Sequence, residues 1–310
     1  MTVKVTKPAL NIREKLAELN KPTGLAGEAL LRADSVQEQR DLINAGRKNL
    51  IINGGFDVWQ RGTSQTSTGY GCADRWGMHR VTNGAQRSTD VPNGDFKYSM
   101  QYTSLTTGMI DLWMRQYIED YGRVIRDTSK TFTVSFWAKA NRVGVVSVDL
   151  NDRNHGSITV DTTWQKYSHT FTGDALYAGD NAMLDFGSNE NAWTINITGI
   201  QLELGSVATE FDNSRSYGEE LALCSRYYQY LSYWTLFKYG HWNYRVPLPF
   251  GEMRATPSFS YTSVNTVDGG GVTQSNDTFS AFDNKLFWVA SASAVFRAYW
   301  FVGAALDAEL

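Results

Sequence analysis

Cysteine is nearly absent. The 310 residues hold two, Cys72 and Cys224, far apart and in no CxxC or Cys/His spacing, so neither a disulfide framework nor a zinc site is supported. Both are expected as free thiols in packed surroundings. Basic residues are not in excess either: 29 Lys plus Arg face 32 Asp plus Glu, a net charge of −3, which removes the electrostatic footprint that a nucleic-acid partner requires. Long apolar runs are missing. The opening MTVKVTKPALNIREKL has no signal-peptide core, Arg297 interrupts the most apolar stretch, and no run approaches the ~18 residues of a membrane span. No membrane insertion is expected, and assembly is placed in the cytoplasm.

Catalytic signatures are equally thin. None of the four histidines, His79, His155, His169 and His241, belongs to HExxH, and there is no GxSxG elbow, P-loop or GxGxxG. His169 lies in an alternating run and reads as a strand surface residue. Asp111, Glu119, Asp120, Asp149, Asp152 and Asp185 lie in or beside strand-like segments. A glycoside hydrolase needs only two such groups, but solvated strand and turn residues account for them, so no catalytic residue is expected. The cluster from Asp149 to Gly156 offers hard oxygen ligands for calcium. It misses the EF-hand spacing and carries Arg153 where an oxygen would be wanted. A polar hairpin turn is the favoured reading, with calcium as its alternative and no other metal or cofactor.

What is abundant are rings and turn residues: 10 Trp, 16 Tyr, 15 Phe and 27 Gly against six Pro, a composition suited to strands. Three regions separate by period. In residues 9–20, Ile12, Leu16 and Leu19 form a helical stripe, ended by Lys21-Pro22-Thr23-Gly24. Ser35 with Glu38 marks a capping box for a second short helix ending at Gly46. From Asn49 the period becomes two, with Phe132, Val134, Phe136 and Ala138 alternating against Thr133, Ser135, Trp137 and Lys139. Further strands are expected at 50–52, 98–103, 109–118, 146–150, 158–160, 165–172, 182–186 and 193–204. A helical signal follows at Tyr217–Gln229, then strands at 230–248, 258–264, 285–293 and 295–303. The fold class is therefore mainly β: short N-terminal helices (1–48), a central β-sandwich jelly roll (49–215), a helical connector (216–229) and a small C-terminal β domain (230–310).

Alternation places Asp111, Trp113, Arg115 and Tyr117 on one face of the 109–118 strand. With Trp137, Lys139 and Asp149 they form a polar face bearing flat rings, the combination that suits sugars. The competing reading has Trp113 and Trp137 covering a sheet edge or meeting another subunit. In the C-terminal region Tyr233, Trp234, Trp242 and Tyr244 offer a second candidate surface, though the alternation of Trp242, Tyr244 and Val246 equally fits a core.

Four blocks carry a resemblance. Asn49-Leu50-Ile51-Ile52-Asn53-Gly54-Gly55-Phe56-Asp57-Val58-Trp59-Gln60-Arg61-Gly62 with Ala73-Asp74-Arg75-Trp76, then residues 130–140, then Trp164-Gln165-Lys166-Tyr167, then 197–211 followed by 216–229, resemble in order a jelly-roll domain of bacteriophage tail fibres and receptor-binding proteins. That domain is similar to carbohydrate-binding modules of the galactose-binding-like class. Residues 7–19 and 29–35 resemble the virion-attachment and neck elements of such fibres, and Asp307–Leu310 their termini. The resemblance implies a homotrimer held to the phage tail through its N-terminus, with Ile12, Leu16 and Leu19 at the attachment, and a host surface polysaccharide as partner. A purely structural virion component and a polysaccharide depolymerase are the alternatives. Fold alone does not transfer the sugar site.

Overall fold

A computed structural model describes residues 49–78, 84–104, 111–152, 154–238, 244–247, 252–268, 271–274, 278–281, 286–290 and 297–309. The expectations for residues 1–48, including Ile12, Leu16 and Leu19, and for Trp242 lie outside these. In chain order the first eleven strands are β1 Ser64–Gln65, β2 Gly77–Met78, β3 Ala85–Ser88, β4 Ser99–Ser104, β5 Asp111–Ile118, β6 Thr131–Ala140, β7 Gly144–Leu150, β8 Asn154–Val160, β9 Gln165–Thr172, β10 Ala182–Ser188 and β11 Trp193–Leu204. A one-turn helix, α1 (Gly122–Ile125), sits between β5 and β6. All pairings are antiparallel, in one sheet ordered β1-β3-β4-β11-β6-β9 and another ordered β2-β5-β10-β7-β8. From β4 to β11 the chain changes sheet at every step except the β7–β8 hairpin. That alternation is a jelly roll.

The period-two pattern explains the core. Phe132, Val134, Phe136 and Ala138 of β6 are fully buried and meet Val146, Val148, Leu150, Leu184 and Phe186 from the other sheet. Trp76 joins them, its ring centroid 5.5 Å from Phe56 and 6.4 Å from Phe186. Cys72 and Cys224 are buried free thiols, and burial pushes the Cys72 thiol up to about 12.

Residues 50–52, expected as a strand, form none. Leu50 N donates to the carbonyl of Leu202 on β11 (3.0 Å), but side chains take the next two residues: Ile52 N donates to Gln116 Oε1 (2.8 Å), Gln116 Nε2 returns a bond to Ile52 O (2.8 Å), and Ile51 N donates to Asn49 Oδ1 (2.9 Å). A glutamine amide thus replaces the neighbouring strand. The helix expected over Tyr217–Gln229 is shorter. It spans Tyr217–Ser225 (α2) behind a Ser216/Glu219 capping box, and Tyr228 already belongs to the next strand.

The C-terminal region comprises β12 Tyr228–Lys238, β13 Tyr244–Pro247, β14 Ser258–Ser260, β15 Ser263–Asp268, β16 Gly271–Gln274, β17 Thr278–Ala281, β18 Leu286–Ala290 and β19 Arg297–Asp307. β19 is central, pairing with β12 on one side and with β14 and β15 on the other, while β13, β18 and β17 form a small separate sheet. The expected strand 230–248 is therefore divided into β12 and β13. Leu231, Met253, Val264, Phe301, Ala304 and Leu306 make its own small core.

Two arginines clamp this region to the jelly roll. Arg61 Nη1 donates to Asp307 Oδ2 (2.6 Å) and its Nη2 lies 3.2 Å from Glu309 Oε1. Arg75 pairs with the other oxygen of Glu309 and donates to the carbonyl of Tyr117 (2.6 Å). The guanidinium groups lie 3.7 Å from the Tyr228 ring centroid and 3.5 Å from that of Tyr227, respectively. No helix among the described residues is long and apolar enough to cross a membrane.

Candidate functional site

The register of the five-stranded sheet sets one row of residues side by side. Gly77 on β2 faces Arg115 on β5; Arg115 faces Asp185 on β10; Asp185 faces Asp149 on β7; Asp149 faces His155 on β8. Leu184, Phe186, Val148 and Leu150 point into the core, so Asp185 and Asp149 point the opposite way, onto the outer face. Tyr117, two residues beyond Arg115, shares that face and pairs with Met183.

Charge ties the row together. Arg115 holds Asp185 through two bonds, Nε to Oδ1 at 2.6 Å and Nη2 to Oδ2 at 3.3 Å, and donates a third from Nη1 to the Tyr117 hydroxyl at 3.1 Å. Asp152 lies 3.9 Å from the same guanidinium. Asp149 pairs with His155 Nδ1, the imidazole being largely exposed. Burial pushes the Asp185 carboxyl up to about 7 even with Arg115 beside it, and Asp152 and Asp149 add repulsion. Burial likewise raises Asp149 against the pull of His155. The Arg115 guanidinium stays charged throughout, because Asp185 more than offsets its own burial.

These shifts have a direction in stability. Between the ordinary carboxylate value of 3.8 and about 7 the folded chain keeps a proton on Asp185 that the unfolded chain releases. Its contribution is complete below that interval and is lost as pH rises through it. Asp74, raised by burial to about 6 despite bonds from Gln60, acts with the same sign. Thermal melting followed across this interval should show Tm falling as pH rises, and Asp185→Asn should flatten the slope; an unchanged slope in the variant would contradict the assignment.

The β7–β8 turn forms the rim of the face. Asn151 and Asp152 have φ of 64° and 55°, left-handed values that asparagine and aspartate tolerate best after glycine. Asn151 exchanges two bonds with Met183, N to O at 2.8 Å and Oδ1 from N at 2.7 Å. Its buried Nδ2 has no partner among the described residues, leaving a donor beside the row. The Asp149–Gly156 cluster is thus a hairpin turn. Among the described residues no group of three His, Cys, Asp or Glu side chains is placed to hold a metal ion.

The expected residues divide between two surfaces. Arg115, Tyr117 and Asp149 come together here. Trp113 lies on β5 at a register shift, since Phe186 pairs with Met114 and Gly187 with Leu112. Trp137 and Lys139 do not join them: both stand on β6 of the six-stranded sheet, facing outward on the opposite side of the sandwich. Alternation assigns each residue a face of its own strand but not the sheet that strand enters, so the single mixed face expected from sequence is corrected to two. Asp185 and His155 were missed as members because only cross-strand register reveals them.

No family model matches the chain, and no curated protein does. Solved structures similar to it include a CBM4 protein (21% identity, 50% of this chain and 99% of that one, TM-score 0.34). The enzymatically active domain of tailspike protein 4 of bacteriophage CBA120 is similar at 21% identity over 51% of this chain, which spans only 21% of that one (TM-score 0.34). A CBM61 protein in complex with beta-1,4-galactotriose is similar at 12% identity over 52% of this chain and 100% of that one (TM-score 0.32).

Proposed function

We propose that the outer face of the five-stranded sheet binds a glycan on a host cell surface, and that the chain serves a bacteriophage as a tail fibre for adsorption. The observation that carries the binding reading is the in-register row Arg115–Asp185–Asp149–His155 beside the half-buried Tyr117 ring. A ring offers a flat surface to sugar C–H groups, and the exposed His155 imidazole and the Arg115 guanidinium, held in place by the buried Asp149 and Asp185 carboxylates, offer partners to hydroxyls. The phage part rests on the four sequence blocks that resemble tail-fibre domains. A shallow face of this kind binds weakly, and several copies on one particle, as in a homotrimer, raise the effective concentration without new contacts.

Binding rather than hydrolysis is favoured by the state of the acids. Asp185 is fully buried and held at both oxygens by Arg115, whereas a glycosidase acid or nucleophile must reach the scissile bond. The test is calorimetric titration of the chain with short gluco-, galacto-, manno- and xylo-oligosaccharides. Tyr117→Ala is expected to weaken the tightest binder about tenfold by removing the stacking ring. Equal affinity in the variant, or no binding by the parent, would leave the jelly roll as a structural element of the particle.

A further inference from the structure

The opposite side of the sandwich carries a second ordered surface. On the six-stranded sheet Gln86, Gln101, Asn196 and Lys139 lie in register across β3, β4, β11 and β6. Their side chains form a directed ladder: Gln86 Nε2 donates to Gln101 Oε1 (2.6 Å), Gln101 Nε2 to Asn196 Oδ1 (3.0 Å), and Asn196 Nδ2 to Asp90 Oδ2 (3.2 Å). Lys139 pairs with the same carboxylate. Trp164, just before β9, donates its Nε1 to Asp90 Oδ1 at 3.0 Å, and the Lys139 ammonium sits 5.7 Å from its ring centroid. One carboxylate therefore fixes an amide row, an ammonium and a half-exposed indole.

Half of this sheet face is already covered. The segment after β11 folds over it, Lys166 Nζ donating to Thr209 O (2.8 Å) and Gln201 Nε2 to Thr209 Oγ1 (3.1 Å), with Thr133 and Ser135 buried beneath. Gln86 and Gln101 occupy the uncovered half, with Asn196 buried beneath Asp90 at the end of the ladder, and Trp137, whose indole lies against Gly199 together with Phe96, borders it. Fixing glutamine side chains on an open sheet costs rotamer entropy about as large as their hydrogen bonds return, so stability does not explain the row. A primary amide has two N–H groups and two acceptor lone pairs; Gln101 uses one of each, leaving a donor and an acceptor for a ligand.

The geometry points to a second glycan-binding face here, one that takes an uncharged sugar chain laid along the amide row with a pyranose ring on Trp164. The chemistry selects an uncharged ligand: the donors and acceptors are neutral amides, and Asp90 and Lys139 neutralise one another. This face shares no residue with the Arg115–His155 row and stands or falls separately from it.

The same neutral oligosaccharides, titrated against the full chain, test it. Trp164→Ala should weaken at least one of them about tenfold, with an unchanged Tm and with binding that Tyr117→Ala leaves intact; Trp164→Phe, which keeps a ring but loses the bond to Asp90, should fall between, and Gln101→Ala should weaken the same sugar. If Trp164→Ala and Gln101→Ala bind every member as the parent does while Tyr117→Ala does not, this second face is refuted and the first stands. Absence of any binding refutes both.

Discussion

Arg75→Ala should lower the stability of the chain by about 3–5 kcal/mol, the cost expected when one partner of a buried ion pair is removed. Arg75 is 1% exposed. Its guanidinium holds Glu309, caps the carbonyl of Tyr117 and stacks on Tyr227. Truncation leaves Glu309 buried with Arg61 alone and leaves the Tyr117 carbonyl without that donor. Urea unfolding with an unchanged m-value would measure the loss, and a change below about 1 kcal/mol would place this pair among weak surface bridges. The clamp also reaches the candidate site, because the strand carrying Arg115 and Tyr117 is tied through that carbonyl to the chain's C-terminal residues.

Gly54→Ala should cost about 3 kcal/mol, at the upper end of ordinary overpacking. A Cβ built on Gly54 would stand 2.1 Å from the carbonyl oxygen of Ile200. Ile200 also donates its backbone N–H to Gly54 O at 2.9 Å, so the two segments cannot separate without losing that bond. The neighbouring Asn53 explains the rest of the block. With φ at 57°, its side chain bonds Val58 N (3.0 Å), Val58 O (2.8 Å) and Asp74 O (2.9 Å), while its carbonyl accepts from the Trp76 indole (3.0 Å). Gly69→Ala is the control for glycine replacement at a strained φ alone, since no atom lies within 4 Å of its Cβ position. If Gly54→Ala unfolds at the parent's denaturant concentration, the close approach is not what fixes glycine there.

Much of the fold is legible because its strands alternate cleanly. The limits of β9 and β11 are those that periodicity gives, and the inward set of β6 is the apolar one. Residues 50–52 escape that reasoning, since an apolar triplet cannot show that Gln116, over sixty positions away, satisfies its backbone. Trp137 escapes it for a different reason: alternation fixes a side, and topology chooses the sheet. Within the candidate site, Arg115, Tyr117 and Asp149 follow from strand pattern and residue type. Asp185 and His155 do not, because their membership depends on strand register across the β5-β10-β7-β8 order, and register is a property of the whole sandwich. The Arg61 and Arg75 clamp is hidden likewise, joining residues separated by more than two hundred positions.

On the proposed function, ligand meets the outer face of the five-stranded sheet. Amide and imidazole NMR shifts of the isotopically labelled chain, recorded during titration with the tightest-binding neutral oligosaccharide, test it most directly. Saturable shifts are expected at Arg115, Tyr117, Asp149, His155 and Asp185. Saturable shifts confined to other surfaces, with these five resonances unmoved, would contradict it.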